Sequence, residues 1–67
     1  MKKNNINAAF YHVADEWNEL YYLEERGCKE STIDIQRARA MEGLYVLELL
    51  TGKGFYYNFR ENAIKEV

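Results

Sequence analysis

His12, Asp15, Glu16 and Glu19 stand at spacings that place their side chains on one face of a helix. A histidine among carboxylates in that geometry is how a helix presents ligands to a divalent cation. A metal site also needs ligands from a second element, and the chain has no other histidine and only scattered acids elsewhere. The reading that stands is a solvated face, with no metal expected. Cys28 and His12 are the only candidates for a thiol nucleophile and its base. About fifteen helical residues, roughly 22 Å of helix axis, keep them apart. Cys28 reads better as a small apolar residue just past a helix end. No Ser-His-Asp set is evident around the single histidine, and no carboxylate pair frames a cleft. Thr51-Gly52-Lys53-Gly54 has the flavour of a phosphate loop, but it lacks the Walker spacing and runs into Phe55-Tyr56-Tyr57. It is expected to be a helix stop and turn. The chain is therefore expected to be non-enzymatic, with no catalytic residue and no cofactor.

Helical periodicity organises most of the chain. Phe10, Val13, Ala14, Trp17, Leu20 and Tyr21 recur at three-and-four spacing, which predicts a helix over about 7–26, capped by Asn5 or Asn7 and stopped by Gly27. A second helix is expected over about 32–51, opened by Ser31 with Asp34 as an approximate capping box and ended by Gly52 and Gly54. The short connection between the two forces an antiparallel hairpin. The second helix carries two apolar stripes. One is Ile33, Ala40, Leu44, Leu47 and Thr51; the other, on the opposite side, is Ile35, Ala38, Val46 and Leu49, broken by Glu42. Residues 55–67 fit two patterns. Phe55, Tyr57 and Phe59 alternate like a strand, whereas Tyr56, Phe59, Ala63 and Val67 fit a helical stripe. A lone strand would have no ladder partner, so a short C-terminal helix is expected. The fold class is accordingly all-α, in one domain spanning 1–67.

Composition narrows the function classes. The 67 residues are 48% hydrophobic and 30% charged, as in a folded domain with room for one small core. The net charge of −2 gives no global pull onto nucleic acid. The run Leu44 to Leu50 is short and contains Glu48, so no membrane span is expected. Lys2 and Lys3 lead into Asn4, Asn5 and Asn7 with no apolar stretch, so no signal peptide is expected either. The single cysteine fits a reducing cytoplasm. Six Tyr, three Phe and one Trp are more large apolar surface than so few elements cover easily, and this favours a homodimer or a partner. Self-association is assigned to Ile35, Ala38, Val46 and Leu49.

Gly27-Cys28-Lys29-Glu30-Ser31-Thr32-Ile33 resembles the turn and second-helix start of helix-turn-helix DNA readers. That resemblance implies that Lys29, Ser31, Thr32, Gln36 and Arg37 face the major groove, with Arg39 near phosphate. Leu23, Arg26 and Gln36 depart from the pattern, which wants a small residue at the first and an apolar anchor at the last. Asp15, Glu16, Glu19, Glu24 and Glu25 would also repel a duplex. DNA binding is thus the alternative, behind protein binding.

The remaining signal is aromatic and acidic. Tyr11, Asp15, Asn18 and Tyr22 follow one flank of the first helix, and Tyr56 and Tyr57 are assigned to the same surface. Tyrosine offers large rigid contact area at little entropic cost, which suits recognition. The expected function is protein–protein binding by a small accessory protein, an inhibitor or adaptor of a host protein. Richness in Lys, Asn, Ile and Tyr without Pro suggests an AT-rich gene of phage or mobile-element type. A structural homo-oligomeric subunit is the third reading.

Overall fold

The computed structural model describes the chain from Lys3 to Val67, and its side chains from Asn7 onward. Its elements are α1 (Lys3–Glu25), α2 (Glu30–Thr51), β1 (Phe55–Asn58) and β2 (Ala63–Glu66). Neither helix contains Pro, and Glu, Leu and Ala, all good helix formers, are their most frequent residues.

Asn5 and Asn7 lie inside α1, whose first described residue is Lys3, so neither marks its boundary. Its C-terminus is where the glycine signal placed it, within a residue. Gly27 adopts φ +69°. Its N–H donates to the Glu24 carbonyl at 3.1 Å, and the Cys28 N–H donates to the Leu23 carbonyl at 3.1 Å. Those two bonds form a Schellman motif, which satisfies carbonyls the helix leaves open and needs a left-handed residue between them. Cys28 is half-buried at the following position.

Helix α2 starts at Glu30, with Lys29 at the cap position and no side-chain cap. The capping box expected from Ser31 and Asp34 does not form, because both residues already lie within the helix and Asp34 Oδ1 instead accepts from Arg37 Nη1 at 2.7 Å. Gly52, at φ +75°, closes α2 by donating to the Glu48 carbonyl at 2.7 Å. Lys53-Gly54 then turns the chain into β1, so Thr51–Gly54 is a stop and a turn.

The helices pack antiparallel. Arg37, early in α2, meets Glu24 at the end of α1, whereas Gly43, later in α2, lies against Val13 nearer the start of α1, so contacts run opposite ways along the two helices. Gly43 has a packing reason. A methyl group there would fall 2.9 Å from Val13 Cγ2, and the stiff β-branched side chain has no easy way to yield. The core is Val13, Ala14 and Leu20 from α1 with Ala40 and Leu47 from α2. Gln36, also buried, bridges the helices by donating from Nε2 to both the carbonyl and Oε1 of Glu16, at 2.8 and 2.6 Å.

The all-α assignment is corrected by residues 55–67. They form an antiparallel β-hairpin, with Phe55 opposite Glu66 and Asn58 opposite Ala63, instead of a short helix. The strand denied a partner in the sequence reading finds one in Ala63–Glu66. Residues 59–62 reverse the chain, with Asn58 Oδ1 accepting from the Glu61 N–H at 3.1 Å and Asn62 taking φ 50°. Asparagine tolerates that left-handed conformation better than most residues, and it is the turn signal that helical spacing obscured. The hairpin lies along the groove between the helices, with β2 against α1 and β1 against α2. It borders α2 at Met41, Leu44 and Glu48. The hairpin leaves the second apolar stripe open: Ile35, Val46 and Leu49 remain 58%, 40% and 65% exposed.

Candidate functional site: an acidic, aromatic face

Alternation along β1 turns Phe55 and Tyr57 inward and Tyr56 outward. The inward rings meet aromatic side chains of α1. Phe55 meets the edge of Phe10 at 5.1 Å between centroids, and Tyr57 stacks between Trp17 at 5.8 Å and Tyr21 at 5.7 Å. Phe59, at the hairpin tip, sets its ring edge-on to Tyr21 at 5.6 Å. The result is a continuous ladder, Trp17–Tyr57–Tyr21–Phe59, whose inner end is the half-buried Trp17 and whose outer end is open. Trp17 Nε1 is buried with no acceptor in reach among the described residues. Tyr21 and Phe59 are 44% and 59% exposed and border a shallow hollow shared with Glu24 and Glu25.

The sequence-assigned partner residues divide. Tyr11, Asp15, Asn18 and Tyr22 are all exposed on one stripe of α1, next to that hollow. Tyr57 does not join the stripe: it is half-buried against Trp17 and Tyr21, and its hydroxyl donates to Asn62 Oδ1 at 2.8 Å. Tyr56 is exposed on the far side of the hairpin and does not join the stripe. Period-two alternation separates neighbours that a helix would have kept closer. The sequence reading missed Phe59, whose proximity to Tyr21 depends on a turn it did not foresee.

Charge reinforces the face. Among the described residues, Asp15, Glu19 and Glu25 have no cationic partner, whereas Glu24 pairs with Arg37 at 3.2 Å and Glu16 lies 3.4 Å from His12. Glu16 is half-buried because it accepts from Gln36, so the His12–Glu19 face is not wholly solvated. Those described residues contain no group of three or more His, Cys, Asp and Glu placed to hold a metal ion.

The helix-turn-helix residues fare unevenly. Lys29, Ser31, Thr32 and Arg39 are exposed. Gln36 is not: its bonds to Glu16 place it between the helices, so its assignment to a DNA groove is corrected. Arg37 is held by Asp34 and Glu24. Helix-turn-helix units cross their helices at a steep angle, whereas α1 and α2 stay in contact along their lengths. Among the described residues no helix is long and apolar enough to cross a membrane.

Tyr57 gives the ladder a pH signature. Burial raises its hydroxyl pKa above the ordinary tyrosine value, and nearby Tyr21 and Asp15 add to the shift. Lys65, hydrogen-bonded to Glu61, is raised as well. In both cases the folded chain holds its proton more tightly than the unfolded chain. The linked stability is complete below the unfolded values, about 10 for both residue types, and is lost as pH rises through the folded ones. Melting temperature is expected to fall above about pH 10, and Tyr57→Phe to blunt the fall without abolishing it. Equal slopes in wild type and variant, in thermal melts across an alkaline series, would contradict the role of Tyr57.

Comparison with family models, curated proteins and solved structures yields no match to this chain.

Proposed function

We propose that this protein acts without catalysis, binding a basic surface of another protein through the acidic, aromatic face of α1 and the hairpin tip. It serves there as an inhibitor or adaptor. The observation that carries this reading is the exposed Tyr21–Phe59 pair, bordered by Glu24 and Glu25 and continued by Tyr22, Asn18, Asp15 and Tyr11. Rigid rings supply desolvatable area at low entropic cost, and the carboxylates of Asp15 and Glu25, which have no cationic partner among the described residues, steer a basic partner toward them. The ladder holds two of those rings in place before binding, which reduces the ordering that association requires.

The test is affinity capture from native-host extract, comparing the wild-type chain with a Tyr22→Ala/Phe59→Ser variant. Both side chains are substantially exposed, so the variant is expected to fold. A protein should be retained by the wild type, released by raised salt, and held at least about tenfold more weakly by the variant. Retention of duplex DNA in its place, capture of nothing, or equal retention of a protein by both chains would each refute the proposal.

A further inference from the structure

Helix α2 has three flanks: the monomer buries one and only borders a second, where Met41 stays 57% exposed. Helix α1 occupies the flank of Gln36, Ala40, Gly43 and Leu47, and the β-hairpin borders Met41, Leu44 and Glu48. On the third flank, Thr32, Ile35, Arg39, Glu42, Val46 and Leu49 follow one another at alternating steps of three and four, the spacing of a coiled-coil seam. All six are exposed, and the stretch runs roughly 27 Å along the helix at 1.5 Å per residue. Two features distinguish this seam from an ordinary greasy stripe. Its ends are apolar or hydroxyl-bearing, and its two central positions carry opposite charges. Among the described residues neither Arg39 nor Glu42 has an ion-pair partner, although three other cationic side chains of the chain pair with acids.

The geometry points to a second copy of this chain as the occupant, docked α2 against α2 in antiparallel sense, with the twofold axis crossing between Ala40 and Met41. In that register Arg39 faces Glu42 of the second copy, and Glu42 faces its Arg39. Ile35 and Val46 face each other on either side, and Thr32 and Leu49 close the ends. Each layer joins positions that pack together in antiparallel coiled coils, and every layer repeats by symmetry, as an isologous interface requires. The charges select this arrangement over its rivals. A parallel, in-register pair would set Arg39 against Arg39 and Glu42 against Glu42. An antiparallel pair slipped by seven residues would set Arg39 against Leu49 or Ile35 and Glu42 against Val46 or Thr32, so neither charge would meet its opposite. Polar residues at seam positions fix register and orientation in this way, at some cost in affinity. Ala38 lies at the edge of the seam, small enough to let the helices approach. The face lies on a different helix from the tyrosine-bearing surface, so dimer formation and partner binding are separable.

Sedimentation velocity between about 1 and 200 µM tests it, with far-UV circular dichroism confirming that each variant folds. The wild type is expected to sediment as a dimer at the upper end of that range. Arg39→Glu alone and Glu42→Arg alone each create two like-charge layers and should weaken dimerisation at least about tenfold. The double exchange Arg39→Glu/Glu42→Arg rebuilds both pairs and should restore it. Tyr22→Ala/Phe59→Ser should leave the dimer intact. A monomer throughout the range overturns the proposal, as does a dimer indifferent to the single reversals or one that the double exchange fails to rescue.

Discussion

Replacing Leu47 with alanine is expected to remove about 3 kcal/mol of stability, a large part of what a chain of this length possesses. Leu47 is 2% exposed on the inner flank of α2. Its neighbours on that flank are Gln36 and Ala40, one polar and one small, so no other large side chain of α2 is buried as fully. Truncation removes the transfer free energy of the lost carbons and leaves a cavity that two straight helices cannot close. The midpoint of thermal unfolding should drop by something on the order of 15 °C, since small domains lose several degrees per kcal/mol. Leu50, three residues later and 73% exposed, is the control. Leu50→Ala should move stability by no more than about 0.5 kcal/mol. Urea titrations at low micromolar protein keep self-association out of the comparison. Similar losses at the two positions would mean that the inner flank of α2 is misassigned.

Tyr57→Ala should be nearly as costly, by about 2–3 kcal/mol, and its signature should be different. An isolated two-stranded hairpin is marginal in water, so β1 and β2 depend on what they rest against. Tyr57 supplies much of that anchorage, stacking on both Trp17 and Tyr21 and donating to Asn62 within the turn. Without the ring the hairpin should loosen while the helices persist. Far-UV helical signal would change little, near-UV aromatic signal would collapse, and Trp17 fluorescence would shift to the red as water reaches the indole. Tyr57→Phe keeps both stacks and should lose only about 1 kcal/mol, the worth of one hydroxyl hydrogen bond. Unchanged near-UV signal in the alanine variant would remove the ladder from the account of how the hairpin is held. Partner binding should weaken in parallel, because Tyr21 and Phe59 would lose the support that presents them.

How legible the candidate site was varies with the distance over which its residues interact. Tyr11, Asp15, Asn18 and Tyr22 form the expected stripe because four residues on one helix need only 3.6-residue periodicity to align. Phe59 joins them through a chain reversal that Asn58 and Asn62 make together, and no helical wheel contains that turn. Tyr56 and Tyr57 were grouped on one surface, yet the pleat sends them to opposite sides. Gln36 fell among groove-facing residues by its offset from Gly27; a carboxylate on the facing helix draws it into the interior.

Local chemistry settles where the helices lie and where each one stops. Glycine alone takes the left-handed step at Gly27 and Gly52 cheaply, and apolar spacing tells each helix which flank to hide. Those preferences act over a turn or two of backbone and need no knowledge of the rest of the chain. Residues 55–67 lie beyond that reach. Their aromatic pattern suits a strand and a helix alike, and the balance is tipped by contacts with Phe10, Trp17 and Tyr21, more than thirty residues earlier. Packing against those rings, together with a ladder partner eight residues on, makes the extended form the one that buries Phe55 and Tyr57 at once. The open flank of α2 follows from the same choice, since a hairpin lodged beside α1 cannot also reach Ile35, Val46 and Leu49.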